Sequence, residues 1–172
     1  MKRLSLLLLA VVLLAACGAN PQSRTKEFAG YLPVEIGEWE RNDDQTVELR
    51  SSTIASQGHV TYQYAGPDDA LAYIVIEVFP SDDAAEVAAV SRERELLLTG
   101  VELEANRKPQ MLTAQVGQSG RARYALLQDG PIVVEIDILA ADEENPVSDE
   151  AFEPLLDAVR AVYQKVLASE EE

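Results

Sequence analysis

The first seventeen residues, Met1–Cys17, constrain this chain most, because they decide in which compartment the rest of it must fold. Lys2 and Arg3 precede a nearly unbroken apolar run from Leu4 to Ala16. The run of about 13 residues fits the apolar region of a secretory signal and is shorter than the ~20 residues that a membrane-spanning helix needs. The pattern therefore predicts a signal peptide over residues 1–16 and no lasting transmembrane segment.

The signal ends in Leu14-Ala15-Ala16-Cys17, and Cys17 is the one cysteine of the chain. This tetrapeptide resembles the lipobox of bacterial lipoproteins, in which small residues precede the cut and the thiol of the new N-terminal residue carries the lipid. The resemblance implies a lipid on Cys17 and an anchor in the cell membrane or the outer membrane, facing outside the cytoplasm. The alternative is an ordinary small-residue cleavage site beside a chance cysteine.

Charge and length limit what the mature chain can be. Removal of residues 1–16 would leave 156 of the 172 residues, the size of one domain. The loss of Lys2 and Arg3 would move the formal charge from −16 to −18. Because such a surface repels phosphate groups, we predict no nucleic-acid partner and a membrane contact made by the acyl chain. With Cys17 acylated, no disulfide can form.

Residues 17–30 are predicted to be a lipid-anchored flexible tether, because Gly18–Lys26 shows no apolar period and contains residues that favour irregular backbone. A single domain is predicted over residues 31–172, with Trp39 closing one edge of its core. The run Leu32–Trp39 resembles the opening of several extracytoplasmic domains, including the exosortase-associated periplasmic domain. The later Cys and His of that family have no match here, so the resemblance implies no activity.

Short runs with two-residue alternation predict strands. They cover residues 46–52, 59–64, 71–79, 111–116, 121–128 and 132–140. After Pro80 the period becomes helical, with Ser81 as N-cap and Gly100 as the stop. The core-facing side of this helix is predicted to hold Ala84, Val87, Ala88, Val90, Leu97 and Leu98. Its water-facing side is predicted to hold Arg92, Glu93 and Glu95.

A second helix is predicted to open at Ser148, with Pro154 in its first turns and an apolar stripe that packs on the sheet. The order strands-helix-strands-helix predicts an α+β sandwich, in which an antiparallel β-sheet packs with two main helices. This order resembles the PsbP and Mog1-like fold, which also occurs in lipid-anchored extracytoplasmic proteins. The resemblance implies an architecture and no particular activity.

Patterns for catalysis or metal binding are missing from the sequence. His59 is the only histidine, and Gly117-Gln118-Ser119-Gly120 differs from a nucleophile elbow. One histidine and one acylated cysteine cannot supply a zinc site. The acidic pairs suit turns and helix caps, although weak cation binding by Asp142–Glu144 stays open. We therefore expect no cofactor, no metal and no enzymatic activity.

One polar set around the last predicted hairpin is a candidate contact site. The set comprises Arg121, Arg123, Glu135 and Asp137, flanked by Tyr62 and Tyr64. Alternation puts the two arginines on one side of their strand and the two carboxylates on one side of the next. If both pairs share a face, opposite charges meet across the ladder and give about 0.2–1 kcal/mol each. The alternative is a polar sheet face that binds a ligand or a partner loop.

Together these features predict a membrane-anchored extracytoplasmic lipoprotein whose non-enzymatic domain binds or positions another envelope protein. The anchor would confine the domain to a surface, so a modest interface would suffice. The first alternative is a lipoprotein that binds a small ligand on a polar sheet face. The second alternative is a hydrolase.

Overall fold

The computed structural model describes residues 21–42, 58–106, 113–142 and 145–170, and all their side chains except those of 102–106, 113–115 and 167–170. In this part of the chain, helices and strands follow one another in the order given next. They are α1 (Pro21–Gly30), β1 (Glu35–Ile36), β2 (Trp39–Arg41), β3 (Gly58–Ala65), β4 (Leu71–Val78), α2 (Asp82–Leu98), β5 (Glu102–Asn106), β6 (Thr113–Ser119), β7 (Ala122–Asp129), β8 (Ile132–Leu139) and α3 (Asp149–Glu170). The predicted α+β class is confirmed.

The strands form one antiparallel sheet in the order β1-β2-β3-β4-β8-β7-β6-β5. The two most apolar strands, β4 and β8, pair at its centre and so join the two halves of the chain. Alternate residues of β4 are fully buried, as Ile74 and Ile76 show. The predicted strand over residues 46–52 lies outside the described residues.

Helices cover the two faces of the sheet unequally. Helices α1 and α3 pack on one face, here called the inner face, and enclose the main apolar core. Helix α2 lies on the opposite, outer face and makes its main contacts with β5, β7 and β8. The outer side of β3 and β4 therefore has no helix over it in the described part of the chain.

The predicted tether is wrong for Pro21–Gly30, which forms α1 and belongs to the folded domain. Phe28 is fully buried, and its ring meets that of Tyr163 edge to face at 4.9 Å. Gly58 permits the close approach of the helix, because a Cβ there would lie 2.5 Å from the carbonyl oxygen of Pro21. Only a few residues of α1 are buried, so its sequence carries no visible apolar period.

Trp39 closes one edge of the core, as predicted. Its indole is buried, and its Nε1 donates a hydrogen bond of 2.7 Å to the carbonyl oxygen of Ala151 at the start of α3. The ring lies directly against Gly66, where an added Cβ would come within 2.3 Å of two ring carbons. The tryptophan thereby ties the short strand β2 to a helix more than a hundred residues away in sequence.

We expect Gly66→Ala to lower the free energy of unfolding by about 1–3 kcal/mol, because the new methyl group must displace the Trp39 ring. The backbone of Gly66 has φ −130°, which alanine adopts without strain, so the cost is steric. Urea unfolding measures the change. Gly30→Ala is the control, since nothing lies within 4 Å of its Cβ. Equal midpoints for the two variants would contradict the packing described.

The predicted apolar stripe of α2 is right for Ala84 and Ala88, which pack against the outer face of the sheet. It is wrong for the four larger residues, which are exposed: Val87, Val90, Leu97 and Leu98. Val87 is 72% exposed and Leu98 is 87% exposed, whereas Leu96 is buried and Ala85 is buried against the sheet. The contact is made largely by alanines, which let the helix lie close and hide little apolar surface. The caps are as predicted: the hydroxyl of Ser81 accepts a hydrogen bond from the backbone amide of Ala84, and Gly100 follows the helix with φ +85°.

Helix α3 confirms its predicted stripe. The buried residues of this stripe are Phe152, Leu155, Leu156, Val159, Val162, Tyr163 and Val166. The Ser148 hydroxyl accepts a hydrogen bond of 3.2 Å from the backbone amide of Ala151, and Pro154 lies within the helix. This helix packs on the sheet, as expected. In the described part of the chain, no helix is both long and apolar enough to cross a bilayer.

Candidate functional site

The part of the outer face that α2 leaves uncovered is the candidate site, here called the open sheet face. Alternation along β3, β4, β7 and β8 brings its side chains to one surface. They are Thr61, Gln63, Tyr73, Val75, Tyr124, Glu135 and Asp137. All are half-buried except Glu135, which is buried. The surface is therefore a mixed polar and aromatic patch at the middle of the sheet.

One row of residues crosses the centre of the open sheet face. Gln63 is the register partner of Tyr73, Tyr73 of Asp137, and Asp137 of Tyr124. Register partners on adjoining strands hold their Cβ atoms about 4.5–5.5 Å apart. The carboxyl group of Asp137 thus lies between two tyrosines supplied by β4 and β7.

Asp137 and Glu135 form a carboxyl pair on the outer side of β8. Burial first, and then the charge of Glu135 and a hydrogen bond with it, raise the pKa of Asp137 to about 7, against the opposing effect of Arg92. Two carboxylates so close together cannot both ionise freely, so one proton is retained near neutral pH. Among the described residues, the buried Oδ1 of Asp137 has no hydrogen-bond partner.

Arg92 of α2 neutralises the other member of the pair. Its Nε donates a hydrogen bond of 2.5 Å to Glu135 Oε2, and its Nη1 donates one of 2.7 Å to Glu95 Oε2. Arg92 and Glu95 are exposed, as predicted, whereas Glu93 is half-buried, and the guanidinium group of Arg92 also reaches the sheet. Burial, and next the charges of Asp137 and Glu135, raise the pKa of Tyr124, so its phenol keeps its proton and can donate it in a hydrogen bond.

The predicted charge ladder between the two arginines and the two carboxylates is wrong. Arg123 is the register partner of Ile138, one position away from Asp137, and this offset sends it to the inner face. There it donates to the carbonyl oxygen of Val147 and contacts Asp149 at 2.6 Å. Arg121 precedes β7, and its Nη1 approaches the carbonyl oxygen of Ala141 at 3.4 Å.

The two predicted flanking tyrosines also lie on the inner face. Tyr64 is fully buried and donates a hydrogen bond of 2.8 Å to the carbonyl oxygen of Pro33. The ring of Tyr62 lies under the guanidinium group of Arg41, at 4.6 Å. Of the six predicted contact residues, only Glu135 and Asp137 reach the open sheet face.

Sequence reasoning missed Tyr73, Tyr124 and Arg92. Tyr73 occupies a half-buried position that alternates with buried ones, so its strand alone carries a signal of its exposed side, whereas burial along β7 does not alternate around Tyr124. Which tyrosine adjoins which carboxylate depends on strand register, and Arg92 depends on where α2 crosses the sheet. Neither can be read from spacing along the chain.

His59 lies at the margin of the same outer surface. Its Nδ1 is 3.2 Å from Glu77 Oε1, and its Nε2 is 3.2 Å from the hydroxyl of Thr61. These contacts use both ring nitrogens, one across to β4 and the other within β3. Within the described residues, no group of three or more His, Cys, Asp or Glu side chains is placed to hold a metal ion.

A separate cavity of about 300 Å³ lies between the turn before β4 and the start of α3. Its lining includes Glu38, Asp68, Asn145, Ser148 and Glu150. Neither Asp137 nor Glu135 lines it, so this cavity does not enclose the carboxyl pair.

No family model, curated protein or solved structure matches the chain. The resemblances to bacterial lipoproteins and to the PsbP and Mog1-like fold accordingly stay predictions.

Proposed function

We propose that this chain is a lipid-anchored extracytoplasmic binding protein that positions another envelope protein at a membrane surface and catalyses no reaction. The open sheet face is the observation that carries the proposal. Two helices cover one side of the sheet, while the other side keeps half-buried tyrosines next to polar groups. Tyrosine combines an apolar ring with a polar tip and is enriched where proteins bind one another.

The placement of α1 supports the anchored arrangement. Pro21 lies only four positions after Cys17, so the intervening backbone can span at most about 14 Å. Pro21 also lies close to Gly58, at the end of the sheet where Val78 and Ile132 meet. A lipid on Cys17 would therefore turn this end of the sheet towards the membrane, and the open sheet face would stay accessible from the side.

Acyl labelling tests the anchor. We expect cells supplied with a palmitate analogue to label the wild-type protein, and Cys17→Ala to abolish both the label and the membrane association, because the thiol is the attachment point. The measurement is in-gel detection of the analogue together with fractionation of membranes. A native polypeptide that begins at Met1, carries no lipid and stays freely soluble inside the cell would refute the proposal.

Binding of a small ligand is the second candidate function, and the 300 Å³ cavity favours it. Co-purification after gentle detergent extraction separates the two. A protein recovered in stoichiometric amount supports the accessory role, whereas a bound small molecule without a protein supports the ligand-binding role. The carboxyl pair does not favour a hydrolase, because it lies outside the cavity, where no enclosed substrate would meet it.

A further inference from the structure

We propose that the solvent-facing side of α2 pairs with the same side of a second copy of this chain, with the two helices antiparallel about a two-fold axis near position 92. This surface, here called the outward stripe, comprises Val87, Val90, Arg94, Leu97 and Leu98. The inference goes beyond the proposed function and uses the proposed lipid anchor only to bring two copies onto one membrane. It depends on three observations: the exposure of the stripe, its spacing and its charge.

The first observation is that α2 packs on the sheet through its alanines and turns its larger apolar residues to solvent. The outward stripe holds four of the seven large apolar residues that are exposed in the described part of the chain. At 3.6 residues per turn, Val87 and Arg94 lie opposite the buried Ala85 and Leu96, so the stripe points away from the sheet. A contiguous row of exposed apolar side chains is typical of a protein interface.

The second observation is that the spacing of the outward stripe is the same in both directions along the helix. Its steps are three, four and three residues, through Val87, Val90, Arg94 and Leu97. A helix turned end for end therefore presents the same row of side chains, as a two-fold contact between identical surfaces requires. In an antiparallel pair centred at position 92, position 87 of one copy meets position 97 of the other, and position 90 meets position 94.

The third observation is the charge of Arg94 in the middle of the stripe. No carboxylate lies three or four residues from Arg94 on α2, so its own helix supplies no ion-pair partner. A parallel pair would set the two Arg94 side chains against each other. In the antiparallel pair, each Arg94 packs its aliphatic part on Val90 of the second copy and lies about 4.5 Å along the axis from Glu93 of that copy. The two arginines and the two glutamates then carry no net charge together.

A membrane surface fits the outward stripe less well than a second copy does. Helices that lie in a membrane interface carry mainly lysine and arginine on their polar side. Helix α2 instead carries five acidic residues against two arginines. Insertion of the stripe among headgroups would bring exposed carboxylates such as Asp83 and Glu95 towards the lipid, where they lose hydration.

The net charge of the chain opposes pairing, and the anchor favours it. The formal charge of −16 repels a second copy, although salt at physiological concentration screens this repulsion beyond about 8 Å. One helix pair buries less surface than a standard interface. Two copies held on the same membrane meet at a raised effective concentration, so a modest contact is sufficient. Because α2 stands above the sheet, pairing through its outward side leaves the open sheet face uncovered.

Disulfide cross-linking of the full acylated chain in membranes tests the register. Two copies with different tags are expressed together, one with Val87→Cys and the other with Leu97→Cys, and the lipid on Cys17 leaves each with one free thiol. We expect oxidation to join the two tags. Either variant alone should give no more dimer than the exposed control Lys26→Cys, because like positions of the pair lie about 15 Å apart along the axis and cannot be bridged.

A charge placed in the outward stripe should prevent pairing without harming the fold. Ser91→Cys puts a thiol beside the two-fold axis, where a short bismaleimide can join two copies. In this background we expect Val87→Glu to lower the yield of dimer about tenfold, because pairing would bury an unpaired carboxylate. Val87 is mostly exposed in the single chain, so the variant should fold. Val34→Glu is the matched control, which adds the same charge at an exposed valine outside α2 and should change the yield by less than about twofold.

Four results would overturn the inference. They are a disulfide formed by Val87→Cys alone, which means a parallel pair, an adduct of either cysteine with a different protein, no dimer above the Lys26→Cys control, and equal losses in Val87→Glu and Val34→Glu. The proposed function can fail separately. If the chain is labelled by the palmitate analogue but gives none of the expected cross-links, the anchor stands and the pairing of α2 is refuted.

Discussion

Phe28→Ala is expected to lower the free energy of unfolding by about 3–5 kcal/mol, the usual cost of removing a large aromatic side chain from a core. Phe28 is fully buried and meets the ring of Tyr163, so its loss leaves a cavity between α1, α3 and the sheet. Urea unfolding of the purified protein, followed by tryptophan fluorescence, measures the change through Trp39, the only tryptophan.

Lys26→Ala is the matched control within the same helix, because Lys26 is exposed. It should change the free energy of unfolding by no more than about 0.5 kcal/mol. If Phe28→Ala proves as mild as Lys26→Ala, the segment Pro21–Gly30 is a tether after all, and the membrane-facing end of the sheet is no longer defined by α1.

The second large effect concerns pH. Asp137 has a pKa of about 7 in the folded protein, against its ordinary value of 3.8 when unfolded. The folded state therefore binds more protons between these values, and stability falls as pH rises through this range. We expect ionisation of Asp137 to lower the free energy of unfolding by up to about 4 kcal/mol between pH 4 and 8. Asp137→Asn should abolish this loss and be the more stable protein at pH 8.

The measurement is urea unfolding of wild type and Asp137→Asn across this pH range, read as the difference between the two proteins. Burial also raises the pKa of Asp129, so Asp129 too makes the free energy of unfolding fall with pH. This contribution is the same in both proteins and cancels when one is subtracted from the other. Glu86→Gln, which removes an exposed carboxylate of α2, serves as control and should follow wild type. A difference that stays constant with pH, or grows in the opposite direction, would contradict the description of the carboxyl pair.

The fold class could be predicted because the spacing of apolar residues in the sequence already identifies several strands and one helix. Strands β4 and β8 are long apolar runs, and α3 repeats its apolar residues at helical spacing from Phe152 to Val166. These patterns mark which side of each element is buried without any knowledge of its neighbours. Trp39 could be placed in the core because its large apolar ring needs burial.

Helices α1 and α2 were harder to predict because each packs through few or small side chains. The buried side of α2 consists mainly of alanines, while its valines and leucines are largely exposed. A helix face predicted from the larger apolar residues is therefore the exposed one. In α1, close packing depends on Gly58 in a distant strand. Such contacts are decided by the fit between elements, and the local sequence does not record that fit.

The candidate site was only half predictable for a related reason. Glu135 and Asp137 share one side of β8 by simple alternation, which the sequence shows. Their neighbours depend on the register of β7, where a shift of one residue exchanges Arg123 for Tyr124 beside Asp137. The sequence-based prediction placed Arg123 on the same face as Asp137, whereas the observed register places Tyr124 there and Arg123 on the inner face.

Photo-cross-linking in intact cells tests the central claim most directly. A photoactivatable residue would replace Thr61 on the open sheet face or, as control, the exposed Lys26 on α1. We predict a discrete adduct with one envelope protein from position 61 and none from position 26, with the adduct lost on Cys17→Ala because the domain is no longer held at the membrane. Equal adducts from both positions, or adducts from position 26 alone, would contradict the claim.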